Sequence, residues 1–588
     1  MKDLPKTGEQ KFQHKSEVIK YYKKISDFFL GDFKNSNFIV FIIYLFTVSI
    51  LEIIAHLNHG AFSIIASRIW IIGGAVCIIT IFYYLIDAFK KDITTKNYIT
   101  AVSLIFLIIA LLSVLGKVNI TEINPDATQQ MAAGIDSFKE ADWNYTGKAF
   151  LGYPNRQYIL GAIPAAILGR SIFTLQLGFA YPFLLGLICM YFGVRKWAET
   201  FGGDIKLSII PIFSIVTFPF ITEYYLNFEQ AIFPVSFTMI ILGLFLIFIC
   251  KPNLLSLFAI SWFGSLLSNC YTPALASLGL LVIFLIVTSY MFYKKSDYLP
   301  SKAINSLKIS KLLGVTVFNI IIFLFATLLS QRQDRITQTR QDADVISTAY
   351  NSIYSFVTDK DAVFMGMFGI VILIYLIAGL SLRLKSKDFI VSIWALGVFV
   401  ATYLLKGYTS YQPAWIMQRA LIVIPVLLIG IIIYLIDWTK MNNIRIKTDF
   451  FVIIIIACVI IANSNTQRVN QSFTYFNSIQ PMKFMLSDLE MTIEKMSITT
   501  QEPFNLIVFT NDILRKNPGD YCKFLHPNAK VFVPENKILP KEIDTSKITI
   551  IYSDDNIPGL TNRTELIQIA FENQKHKSTV TLYKGVIK

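Results

Sequence analysis

Asp126 is the residue around which chemistry could gather. It lies in Asn124-Pro125-Asp126-Ala127-Thr128-Gln129-Gln130-Met131, ahead of a stretch holding Trp143, Tyr145, Phe150, Tyr153, Arg156 and Tyr158. Further on, Arg332, Arg335 and Arg340 interleave with Asp334, Asp342 and Asp344. Lys406 opens a segment that closes on Arg419, and Glu223 and Glu229 bound a short polar turn. A carboxylate among aromatic rings can take or orient the proton of an attacking hydroxyl. Guanidinium forks suit a phosphate, and aromatic faces suit a sugar ring. The plainer readings stand beside these. "NPDATQQ" is also a helix start or an Asx turn, the arginines are also solvated or headgroup-facing side chains, and aromatics mark any membrane interface.

The elements that must position these residues are membrane spans. The 588 residues are 54% apolar and 16% charged, against about 25% charged in soluble domains. Apolar runs fall at 38–58, 63–87, 99–115, 172–194, 207–222, 231–250, 254–270, 272–292, 312–330, 362–382, 388–405, 419–437 and 449–464. Most are long enough to cross a bilayer as helices, whose backbones satisfy themselves in lipid. The fold class is therefore an all-α polytopic membrane domain of about thirteen spans, followed by a small α/β domain outside the membrane. Residues 1–37 form a basic cytoplasmic arm, 38–464 the membrane domain, and 465–588 the outer domain.

Lysine and arginine set the sidedness. The N-terminal arm carries Lys11, Lys15, Lys20, Lys23, Lys24 and Lys34. The alternate loops carry Lys90/Lys91/Lys96, Arg195/Lys196, Lys294/Lys295/Lys302/Lys308/Lys311, Arg383/Lys385/Lys387 and Lys440/Arg445/Lys447. By the positive-inside rule these are cytoplasmic. The net charge of +14 is thus a topology signal, and nucleic acid is excluded as a partner. The loops at 116–171 and 331–361 then lie on the outer face, too long to be mere connections. The first holds "YILGAIPAAILG" (158–169), too short to span and suited to a helix at the interface.

In the tail, "NLIVF" (505–509), "KVFV" (530–533), "ITIIY" (centred on 549–552) and "TVTLY" (579–583) read as strands. "FMLSDLEMTIEKM" (484–496) and "TELIQIAFEN" (564–573) read as helices. No phosphate-binding glycine loop, metal-ligand spacing or disulfide framework is present, and no cleavable signal sequence is expected. The five histidines show no ligand spacing. Asp342-Ala343-Asp344 has the D-x-D form of metal-using sugar transferases, a triplet common by chance. No cofactor is expected.

The order of motifs resembles membrane glycosyltransferases of the GT-C superfamily, in the bacterial branch of protein O-mannosyltransferases and the lipid A aminoarabinose transferase. Pro125-Asp126 stands where that branch opens its first outer loop with an acidic motif. Tyr153-Pro154-Asn155-Arg156-Gln157-Tyr158 stands in the position of its "P-P-L-Y-Y" segment. Gly169-Arg170-Ser171 stands for its "G-x-S" element, and Arg195-Lys196 ends the following span. The match covers about 75 residues. Ala127 replaces the usual second acid, and the motif follows the third span rather than the first.

The resemblance implies an inverting transferase in the inner cell membrane, working on its outer face. It would move a sugar from a polyprenyl-phosphate donor to a glycan, lipid or protein acceptor. Asp126 would be the catalytic base. Arg156, Tyr153, Glu223, Arg332, Arg335, Arg340, Lys406 and Arg419 would bind substrate, the cations stabilising the phosphate leaving group. The competing readings are a flippase or transporter of lipid-linked glycans, an outer-face glycan polymerase or ligase, and a non-catalytic assembly protein. A transporter would carry polar sites at mid-span, often in repeated halves. Here the polar residues gather at the outer ends instead.

Overall fold

A computed structural model describes residues 61–95, 156–216, 232–268, 503–509, 526–532, 549–553, 564–573 and 578–587. It also describes scattered positions at 20–50, 98–112, 131, 281, 425–460 and 534–547. The described part is mostly helical. Its helices are α1 (Ala61–Thr95), α2 (Arg156–Leu168), α3 (Ile172–Phe201), α4 (Ile210–Val216), α5 (Ile232–Cys250) and α6 (Leu254–Ser268). A 3-10 turn at Ile205–Ile209 leads into α4. Among the described residues, three helical segments are long and apolar enough to cross a bilayer: Ile71–Thr94, Phe173–Phe201 and Ile232–Cys250. The spans read at 99–115, 207–222 and 419–437 are described only in part, and those at 272–292, 312–330, 362–382 and 388–405 lie almost wholly outside the described residues.

The chain states where α3 begins and ends. Ser171 caps its N-terminus: the hydroxyl accepts from the Thr174 amide at 3.1 Å, and the Ser171 amide donates to Thr174 Oγ1 at 2.9 Å. This reciprocal box satisfies amides the helix cannot pair internally. At the other end Gly202 adopts φ 77°, a left-handed conformation that only glycine takes without strain. The helix therefore runs past residue 194, where the apolar run stops, through Arg195, Lys196 and Glu199. α1 likewise continues past residue 87 through Lys90, Lys91 and Asp92. These charges read as loop in the sequence, yet they are helical, and Lys91, Asp92, Arg195, Lys196 and Glu199 pair with one another.

α3 is the centre of the packing. α5 lies along it in the same direction, Gly186 beside Met239 and Gly193 beside Gly243. A Cβ on Gly193 would stand 2.7 Å from the Gly243 Cα, and a Cβ on Gly243 would meet the backbone of Cys189 and stand 2.6 Å from the Met190 amide nitrogen. Every residue of α5 is buried. α1 also runs parallel to α3, since Asp92 and Arg195 meet near their C-terminal ends. α6 runs back against α1: Tyr84 bonds Ser256 near the start of α6, and Trp262 packs on Gly73 and Gly74. These are the mutual directions that an alternating membrane thread requires. Small residues at such crossings let backbones approach, and close packing is what holds helices together in lipid.

The tail contains strands β1 (Asn505–Phe509), β2 (Lys530–Phe532), β3 (Thr549–Ser553), β4 (Thr564–Asn573) and β5 (Ser578–Ile587). The first three form a parallel sheet in the order β2-β1-β3. Asn505 ties it together, donating to the Asp544 carbonyl at 3.0 Å and to Thr549 Oγ1 at 3.1 Å. The helix read at 564–573 is corrected: it is β4, paired antiparallel with β5 from Thr564↔Ile587 to Asn573↔Ser578. Its apolar residues fit both periods, Leu566/Ile569/Ala570 for a helix and Ile567/Ile569/Phe571 for a strand. Ten ladder positions with an adjacent strand decide between them. The helix read at 484–496 lies outside the described residues.

Two outcomes follow. Gly243→Ala should lower the thermal stability of the detergent-purified chain by roughly 1–3 kcal/mol. Gly264→Ala, where a Cβ meets nothing within 4 Å, should be neutral or slightly stabilising in the same melts. In the tail, the Ser546 hydroxyl and then Lys547 hold the Asp544 carboxyl below its ordinary value. Its folded value is below its unfolded one, so its contribution is present above the unfolded value and fades as pH falls through the folded value. Asp544→Asn should therefore remove a small acid-side loss of stability, read by denaturing the full chain across pH 3–6, a window set by ordinary carboxylate values.

Candidate functional site

Two ends of the helix bundle carry polar chemistry. At the end formed by the C-termini of α1 and α3, Arg195 forks onto Asp92. Nη1 donates to Oδ2 at 2.7 Å and Nη2 to Oδ1 at 2.5 Å. Both side chains are nearly inaccessible, 5% and 2% exposed, so the pair stands on its bidentate geometry. Arg195 Nη1 also donates to the Tyr191 hydroxyl at 3.3 Å, and Nε to Glu199 Oε1 at 3.1 Å. Glu199 accepts from Lys91 at 2.8 Å, with Lys196 at 3.7 Å. Beside this cluster Asn253 caps α6, accepting from the Ser256 amide at 2.8 Å and donating to the Tyr84 hydroxyl at 2.7 Å. Asp92 thus directs both oxygens at Arg195 of α3, while Glu199 is shared between Arg195 and Lys196 of its own helix and Lys91 of α1. This end is a clamp of charges that neutralise one another.

The other end is built by the α2–α3 hairpin. The chain reverses through Gly169, at φ 89°, and Arg170 into the Ser171 cap. Two residues of the "G-x-S" element therefore have structural work, one turning the chain and one starting the helix. Tyr158 of α2 is fully buried against Phe179 of α3 and Phe233 of α5. The Tyr181 hydroxyl donates to the Leu160 carbonyl. The two helices meet at glycines: a Cβ on Gly161 would stand 3.3 Å from the Gly178 carbonyl oxygen. The same imagined Cβ would stand 3.0 Å from Met131 Cε and 3.0 Å from Phe233 Cζ, while one on Gly178 would stand 3.2 Å from Met131 Cε. Met131, itself fully buried, is seated where α2, α3 and the start of α5 converge.

The sequence candidates distribute as follows. Arg156 is the first residue of α2. It lies five residues before Gly161, about 7 Å along the helix axis from the Met131 crossing. Phe233, the second residue of α5, packs at that crossing, so Arg156 begins its helix near the same rim of the bundle. Asp126, Tyr153, Glu223, Arg332, Arg335, Arg340, Lys406 and Arg419 lie outside the described residues. The sequence reading missed Met131 and the paired glycines. The signal was present: Gly178, Gly186 and Gly193, spaced eight and seven apart, mark one face of α3.

No protein-family model matches the sequence, and no curated protein matches it. The chain is similar to solved structures of ArnT from Cupriavidus metallidurans. The apo structure aligns at a TM-score of 0.47 and 12% identity over 83% of this chain and 98% of that one. The structure bound to undecaprenyl phosphate aligns at 0.45 and 12%, over 82% and 98%. A likeness this shallow assigns no residue role and no activity.

Removing one partner of the buried clamp exposes its energetics. Arg195→Met should destabilise the chain by about 3–5 kcal/mol by stranding Asp92. Asp92→Leu combined with Arg195→Met should recover much of that loss in a double-mutant cycle of thermal melts.

Proposed function

We propose that the chain is an integral membrane glycosyltransferase of GT-C type, transferring a sugar from a polyprenyl-phosphate donor to a glycan, lipid or protein acceptor on the outer face of the membrane. The observation that carries this reading is the seat of Met131. That residue closes the stretch that opens with Asp126, and it is held at the waist of the helix that Arg156 begins. Five residues of chain reach at most about 18 Å, which allows the Asp126 carboxylate to stand at the rim where Arg156 begins α2. A helix N-terminus favours an anion, and an arginine there adds a full charge. That setting suits a departing phosphate. The opposite, clamp-bearing end is rich in Lys91, Lys196, Lys251 and Lys440, which the positive-inside rule assigns to the cytoplasm. On that assignment Asp126 and Arg156 belong to the outer side.

In the reaction, Asp126 accepts the proton of the acceptor hydroxyl as its oxygen attacks the anomeric carbon. The bond from that carbon to the phosphate oxygen breaks, with inversion. Arg156, with Arg332, Arg335, Arg340, Lys406 and Arg419 as further candidates, stabilises the charge that develops on the phosphate. Tyr153 and Glu223 complete the proposed sugar and acceptor contacts. The C-terminal strands belong to an outer domain that covers the site or meets the acceptor.

Asp126→Asn should lower transfer by about 10²–10⁴-fold. The check is mass spectrometry of surface glycans and lipid A in a deletion strain complemented with wild-type or variant gene. Full restoration by a stably produced Asp126→Asn chain would remove Asp126 as the base. Unchanged glycans with altered solute uptake would favour a carrier.

A further inference from the structure

We infer that Arg68 and the apolar stripe running from it along α1 form a docking face for an acidic phospholipid of the outer leaflet. α1 has two sides. Gly74, Cys77 and Ile81 are buried, and Trp262 of α6 packs on Gly74. On the other side Ile65, Arg68, Ile72, Val76, Ile79 and Tyr83 recur at steps of three and four residues, which sets them on one helical face. All of them are exposed, Ile72 by 64% and Ile79 by 66%. The apolar members rest on acyl chains. Arg68 stands inside the apolar run 63–87, where a charge ordinarily turns to the bundle interior and a protein partner. This one turns outward, and among the described residues no ion pair joins it to an acid.

Depth decides what Arg68 meets. Asp92, in the clamp at the inner end, lies 24 residues further along the same helix, about 36 Å away. The hydrocarbon layer is about 30 Å thick. With the clamp at one edge of that layer, the Arg68 side chain reaches the lipid phosphates at the other. Ile72, Val76 and Ile79 lie within about 17 Å of it along the axis, the depth of one leaflet's acyl chains. A guanidinium fork matches a phosphate. Charge then selects the headgroup. The acids of α1, Asp87 and Asp92, lie toward the inner end, and α6 carries no charged residue. Neither helix offers an acid here to the amine of a zwitterionic headgroup, so the face complements one with net negative charge.

The test is lipid retention by the detergent-purified full chain, read by native mass spectrometry with phosphatidylglycerol, phosphatidylcholine or inorganic phosphate added. Arg68→Gln should weaken phosphatidylglycerol retention by about 5–10-fold and leave phosphatidylcholine retention and the lipid-free thermal midpoint unchanged. Millimolar inorganic phosphate should not displace the lipid. Equal phosphatidylglycerol retention by wild type and Arg68→Gln would overturn the site. An equal loss of phosphatidylcholine in the variant would overturn the acidic headgroup, and displacement by inorganic phosphate would replace the lipid with a free anion. A second measurement leaves Arg68 in place. A photo-crosslinking side chain at position 72, in nanodiscs with equal amounts of the two lipids, should capture phosphatidylglycerol in preference. Equal capture of both would refute the docking face.

Discussion

Everything described in the helical part depends on how closely neighbouring backbones can approach α3. Lipid tails are as apolar as leucine, so burying apolar surface gives helices little reason to associate once they are inserted. Contact must supply the attraction, and contact is greatest where side chains are smallest. Gly178 faces α2, while Gly186 and Gly193 face α5, and each stands against backbone or a methionine. One face of one helix therefore sets the spacing of its two neighbours. The capping box at Ser171 and the left-handed Gly202 fix the length over which that face is presented.

The polar clusters are consequences of this packing. Once α1 and α3 lie side by side in the same direction, their charged C-terminal turns coincide. Arg195 then finds Asp92, and Glu199 gathers Lys91 and Lys196. At the opposite end the glycine contacts leave a gap that Met131 fills. One end is closed by mutual neutralisation and the other by shape.

Much of this was legible in the residues. The run at 231–250 differs from α5 by one residue, "NLIVF" is β1 at both bounds, and the short apolar stretch at 158–169 is α2 displaced by a turn or less. The ends of α1 and α3 were hidden because charges stop an apolar count, whereas pairing between two helices keeps those turns folded. β4 was misread because ten residues carry too few repeats to separate a period of two from 3.6. Of the site, Arg156 was legible as a candidate, but its place at the head of a helix was not. The role of Met131 could not be read at all, because a methionine gives no sign in sequence of the gap it fills. The glycine spacing along α3 could have been counted, and it pointed to a close-packed face.

The Asp92–Arg195 pair also sets a timetable for assembly. Its members are 103 residues apart, so at ordinary elongation rates of 5–20 residues per second the acid emerges about 5–20 s before its partner. Through that interval the end of α1 carries a charge that the finished protein keeps from water. The clamp at this end of α1 can close only once α3 has been made.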